Sequence, residues 1–229
     1  MKKLILLLAF FLVAGYAFAD EPRDIEFFAL EVTIGVPVHW TNSPVPHEFA
    51  GGQYDRDRTV TANTALGLAF VFNFNRTFGL MLETDFFFGQ DLLGNSSNFS
   101  NSNSLFGANV FLGPVFYLYN GPNLRIPWAI GAHLYYWSSS SWFSGTSIAG
   151  GNDAWVSTTD LQIGPATSLG MQFHFDRNIY ILSRTLVALH VYRSHETIVG
   201  NHLGVQSESC RDFGIAWHIK PTLGVGIKF

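Results

Sequence analysis

Residues 214–229, GIAWHIKPTLGVGIKF, are the last of the chain, and counting back from Phe229 every second position is apolar: Ile227, Val225, Leu223, Pro221, Ile219, Trp217 and Ile215. The intervening Lys228, Gly226, Gly224, Thr222, Lys220, His218 and Ala216 are small, polar or charged. Successive side chains of a strand point to opposite faces, so the stretch is predicted to be a strand with one greasy face. It exceeds the about five or six residues typical of strands in water-soluble domains, and the question is what lies against that face.

The same period of two occurs in seven earlier segments. In the first, about 26–40, Phe28, Leu30, Val32, Ile34, Val36, Val38 and Trp40 share one face, against Ala29, Glu31, Thr33, Gly35 and His39. Ten rises from Phe28 to Val38 span about 33 Å, which at a tilt near 40° covers about 25 Å, the height of a barrel's apolar band. The second, about 59–74, turns Val60, Ala62, Leu66, Leu68, Phe70, Phe72 and Phe74 outward, and the third turns out Phe78, Leu80, Leu82, Thr84, Phe86 and Phe88. The fourth, about 105–119, is apolar on both faces, with Val110, Leu112, Pro114, Phe116 and Leu118 assigned outward because Asn109 and two glycines fall opposite. Strands at about 125–137 and 158–175, and another from Ile179 to Val191, complete the set of eight with the quoted terminus.

Connections alternate in length. Asn75 to Thr77, Asn120 to Leu124 and Asp176 to Asn178 are tight, whereas about 41–57, 89–104, 138–153 and 194–211 are long and rich in Ser, Asn and Gly. Short turns at one end and long loops at the other are the plan of an outer-membrane barrel, and an even strand count places both termini at the periplasmic end. Prolines 37, 114, 127, 165 and 221 fall inside these strands and lack the N–H that a closed ladder needs, so bulges or gaps are expected there.

The chain opens MKKLILLLAFFLVAGYAFADEP, with Lys2 and Lys3, an apolar run from Leu4 to Gly15, and Ala17-Phe18-Ala19 ahead of Asp20. This is the layout of a secretory signal spanning 1–19, with the barrel as residues 20–229; the apolar run is too short to cross a bilayer as a helix. Twenty-two Phe, eight Tyr and six Trp with 13% charged residues make a greasy chain whose apolar residues are dispersed by alternation. The net charge of −4 is unclustered, which argues against nucleic-acid binding, and a lone Cys210 of unassigned role excludes an internal disulfide. A soluble sandwich or lipocalin-like barrel would have to pack about eight long apolar stripes inside, too much bulk for a small barrel.

On the signal, the hairpin NTALGLAFVFNFNRTFGLMLETDFFF (63–88), the strands GPVFYL and PWAIGAHLYYW, and the terminal LGVGIKF, the chain resembles the small eight-stranded outer-membrane barrels of the OmpA/OmpX/OmpW-like group. The resemblance implies an all-β, eight-stranded antiparallel up-and-down barrel in outer-membrane lipid. It also implies that the barrel-assembly machinery reads Leu223, Val225, Ile227 and Phe229. Further signature segments of the OmpW branch, which transports hydrophobic solutes, are not found.

Inward parity collects the ionisable residues Glu31, Glu83, Asp85, His133, Arg184 and Lys220, five to nine residues from the short-turn ends. A barrel of eight strands is just wide enough for side chains to fill, so buried charges there must pair. A structural ion-pair plug is the favoured reading over a conduction site, and Glu31 and Lys220 are expected to be neighbours because strands one and eight close the barrel. In the fourth loop His195, Glu196, His202 and Cys210 match no zinc spacing, and Ser194-His195-Glu196 are too close in sequence to act as nucleophile, base and orienter. The reading is therefore a barrel without catalytic site, metal or cofactor, with a structural or surface-interaction role in which the long loops meet an extracellular ligand. The alternatives are a channel for small hydrophobic solutes and, more distantly, a lipid-modifying enzyme.

Overall fold

β-Branched and aromatic residues at alternate positions favour extended backbone, and the described chain is strand almost throughout. The structure, a computed structural model, describes residues 28–41, 59–89, 104–143, 154–176, 178–201, 204–212 and 214–229. The signal segment and its cleavage point lie outside these residues, as does part of each of the four long connections.

The strands are β1 Phe28–Gly35, β2 Val38–Thr41, β3 Thr59–Ala62, β4 Ala65–Asn73, β5 Phe78–Gly89 and β6 Ser104–Asn120. They continue as β7 Leu124–Phe143, β8 Ala154–His174, β9 Ile179–His190, β10 Tyr192–Asn201, β11 Gly204–Asp212 and β12 Ala216–Lys228. Short breaks divide two of the eight expected strands, the first into β1 and β2 and the second into β3 and β4, while β10 and β11 prolong the seventh and eighth beyond β9 and β12, so that each of these four pairs forms one stave. Every pairing is antiparallel, and β12 pairs with β1 from Ala29↔Lys228 to Gly35↔Thr222 and with β2 from Val38↔Ile219 to Thr41↔Ala216. The sheet thus closes into the eight-stranded barrel expected from the alternation.

Burial alternates with parity along the staves. Leu223 is 63% exposed while Lys220 and His218 on the same strand are at 1% and 0%. Val32, Ile34, Leu66, Leu68, Leu112, Ile130 and Leu169 are exposed in the same outward belt. Water would make this belt unfavourable; lipid makes it the natural surface. Near the short-turn end, Phe28 contacts Phe72 and Phe229 with ring centroids 5.1 and 5.8 Å apart, and Phe78 meets Phe74 and Phe116 at 5.5 and 5.4 Å, forming an aromatic girdle. The doubly apolar β6 is explained by the lumen: Phe111 and Val115 point inward and fill it, both 1% exposed.

The prolines sit where the ladder is interrupted. Val36 and Pro37 separate β1 from β2 opposite Pro221, with Val36 N donating to Pro221 O at 3.1 Å and Asn63 N to Pro37 O at 3.2 Å. Between β6 and β7 the pairing skips from Leu112↔Ala132 to Val115↔Ala129 beside Pro114, and the register shifts between Tyr117 and Tyr119 near Pro127. At Pro165 the partner of β8 changes from β9 to β10, with Val191 as the extra residue. Each break removes a hydrogen bond that proline could not have made.

Strand extends into two of the expected loops. The connection expected at 138–153 narrows, because β7 continues to Phe143 and β8 begins at Ala154, and the one expected at 194–211 is the hairpin β10–β11, paired from Arg193↔Asp212 to Asn201↔Gly204. The outward positions change from apolar to polar: Ser138 pairs with Thr159, Ser140 with Ser157, and Glu196 with Thr159 and Ser209. Runs of Ser, Asn and Gly suggest loop, but strand pairing needs no apolar face once the wall rises above lipid. Four adjacent strands, β7, β8, β10 and β11, therefore extend the wall beyond the apolar belt.

Candidate functional site

The lumen is built from the inward positions of all eight staves, and its contents form layers. Nearest the short turns, Tyr180 Oη donates to Glu31 Oε1 at 2.8 Å and Gln172 Nε2 donates to the same oxygen at 3.0 Å. Arg184 then bridges two carboxylates, Nη1 lying 2.8 Å from Glu31 Oε2 and Nη2 3.3 Å from Glu83 Oε2. Lys220 Nζ pairs with both Glu83 and Asp85. Lys228 Nζ lies 5.8 Å from the centre of the Tyr180 ring. Three carboxylates thus share the lower lumen with three cations, as burial requires of charges away from water.

Phe111, Val115, Met81, Leu182 and Leu186 pack beside this network in one apolar cluster. Glycines create the room for the largest side chains. A Cβ on Gly226 would lie 2.1 Å from the Tyr180 ring, and one on Gly107 would lie 1.9 Å from that of Phe87. Gly226→Val is therefore expected to push Tyr180 off Glu31 and cost about 1–3 kcal/mol. Loss of heat-modifiable gel migration at lower temperature than wild type would register this; an unchanged transition would show that the ring is not held there.

Above the charges lies a second layer that parity alone did not assemble. His39 on β2, His133 on β7, His190 on β9 and His218 on β12 face one another, with His133 Nδ1 2.8 Å from His190 Nε2 and ring centroids 4.8 Å apart for His133 and His218. Tyr135 stacks on His39 at 4.4 Å and on Phe87 at 5.6 Å. At the long-loop mouth Arg193 Nε donates to Asp160 Oδ2 at 2.8 Å, and His195 Nδ1 is 3.6 Å from the same oxygen.

Five of the six ionisable residues singled out in sequence, Glu31, Glu83, Asp85, Arg184 and Lys220, meet in one network. His133 does not join it and belongs to the imidazole layer. Glu31 and Lys220 are not direct partners either: the β1–β12 register sets Glu31 opposite Gly226, and Lys220 sits six residues further along β12. They connect through Arg184 and Glu83. The imidazole layer had a sequence signal, since all four histidines have lumen parity and lie nine to eleven residues from the short-turn ends of their strands. Leu223, Val225, Ile227 and Phe229 all point outward and are 43–69% exposed. Of the loop residues, His195 faces the lumen mouth and Glu196 is exposed, whereas His202 and the Cys210 side chain lie outside the described residues.

No family model matches the chain, and no curated protein matches it in sequence. Among solved structures it is similar to a major outer membrane protein from Thermus thermophilus, with TM-score 0.50 and 10% identity over 87% of this chain and 99% of that one. OprG from Pseudomonas aeruginosa aligns over 90% of this chain and 99% of its own with TM-score 0.49 and 14% identity, and Ail, the attachment invasion locus protein of Yersinia pestis, over 90% and 100% with 0.45 and 16%. The closed antiparallel sheet of eight staves with its apolar exterior has the fold of the small outer-membrane β-barrels.

Proposed function

We propose that the protein is an integral barrel of the bacterial outer membrane whose lumen is a structural plug, and that its activity resides in the wall and loops at the long-loop end, where an extracellular ligand is bound. The observation that carries this reading is the packed lumen: ion pairs, an apolar cluster and stacked rings occupy successive layers from Tyr180 to Arg193. The polar extension of β7, β8, β10 and β11 supports the surface role, because strand pairing above the belt builds a rigid face where loops alone would not. Both termini then lie at the periplasmic end, Phe229 N donating to Phe28 O at 2.8 Å beside the short turns.

Purified barrel in planar bilayers is expected to pass little current and little apolar solute. Grafting a short turn between Tyr136 and Leu161, which removes the β7–β8 extension, should leave the barrel folded and abolish binding to target cells or matrix. Large, steady conductance, or uptake of apolar solutes into liposomes, would put the solute-channel alternative in its place.

A further inference from the structure

Four histidines on four different staves converge inside the barrel, and the lumenal ion pairs do not use them. His39, His133, His190 and His218 are each 3% exposed or less. Six of their ring nitrogens, both of His39, both of His218, Nε2 of His133 and Nδ1 of His190, have no hydrogen-bond partner among the described residues. Buried imidazole nitrogens without partners are costly, and one ligand class that satisfies several at once is a borderline transition-metal cation. As the rings stand, no three His, Cys, Asp or Glu side chains among the described residues are arranged to hold a metal ion. His133 and His190 are stacked nearly face to face, 21° between planes, so their nitrogens do not aim at one point.

The ring positions, as opposed to their orientations, suit a metal. His133, His190 and His218 form a triangle of centroids with sides of 5.1, 4.8 and 6.0 Å. The point equidistant from these three centres is about 3.1 Å from each, and a metal about 2.0–2.1 Å from a ring nitrogen stands about 3.2 Å from that ring's centre. His39 lies 5.6 and 5.9 Å from His190 and His218, within reach as a fourth ligand. The spacing of the ring centres thus leaves room for a metal among the three, and turning the rings about χ2 is what would aim nitrogens at it. The torsion is soft, and Gly164 opposite His133 adds no side chain to obstruct it. We propose that His133, His190 and His218, with His39, form a lumenal site for a divalent transition metal of the zinc class.

The test uses the full mature barrel in detergent micelles, with zinc titrated calorimetrically and cobalt(II) as the spectroscopic probe. One zinc per chain is expected, together with the intense visible absorption of four-coordinate, nitrogen-ligated cobalt. His133→Gln and His218→Gln should each weaken zinc binding by at least the about 10–100-fold that loss of an outer-shell partner causes. His195→Gln at the mouth and His174→Gln near the short turns should leave it unchanged. Heat-modifiable migration establishes that each variant is folded, and if one is not, His190→Gln and the wild-type cobalt spectrum decide. Absence of zinc binding, a weak six-coordinate cobalt spectrum, or affinity unmoved by the lumenal substitutions would overturn the proposal.

Discussion

Arg184→Ala is expected to destabilise the barrel by about 3–5 kcal/mol, because it leaves the carboxylates of Glu31 and Glu83 buried without their shared cation. Arg184 also carries an N–H to Met81 Sδ at 3.1 Å, so its loss opens space in the apolar cluster as well. The measurement is the urea dependence of heat-modifiable migration in detergent, compared with wild type. Water entering the gap would lower the cost and appear instead as ion leakage in planar bilayers, so both are recorded. A double variant, Arg184→Met with Glu31→Gln, should recover part of the loss, since removing both members of a buried pair is far less harmful than removing one. If Arg184→Ala unfolds with wild type and conducts no more than wild type, the lumenal network does not hold the barrel together.

Leu223→Arg tests the other face. Leu223 pairs with Ile34 on β1 and with Ser183 on β9, midway between the outward Trp217 and Phe229, and its side chain points into the apolar belt. An arginine at the bilayer midplane of a barrel costs about 2–4 kcal/mol, falling to about 0–1 near the interfaces. Refolding into lipid vesicles should therefore shift by this amount for Leu223→Arg and by much less for Phe229→Arg at the rim. Deleting Phe229 separates stability from assembly: the chain should still refold in detergent yet reach the outer membrane poorly in cells, as expected if the terminal residues are read during assembly. Equal yields in cells for the deletion and wild type would remove that role from Leu223, Val225, Ile227 and Phe229.

Eight staves, their lipid faces and their short turns were legible in the residues because a strand has a rigid period of two and the belt demands apolar side chains at every outward step. Asn75 shows the same local determinism, its Oδ1 accepting from Thr77 N and Phe78 N at 2.8 Å to close the tight turn. The proline breaks were legible for an equally local reason, the missing N–H. Lumen parity likewise marked Glu31, Glu83, Asp85, Arg184 and Lys220 as buried together. What parity could not supply was height and partner. Those depend on the stagger between staves, which places Lys220 against Glu83 and Asp85 rather than Glu31, and lifts His133 out of the charge network into contact with His190 and His218. The extension of β7, β8, β10 and β11 was hidden for a related reason: above the belt no lipid imposes an apolar face, so Ser138, Ser140 and Glu196 read as loop until their cross-strand partners are seen. Composition and period alone determined a membrane barrel, whereas the closure register decided which lumenal groups meet, because a contact across the barrel joins residues that no local pattern relates.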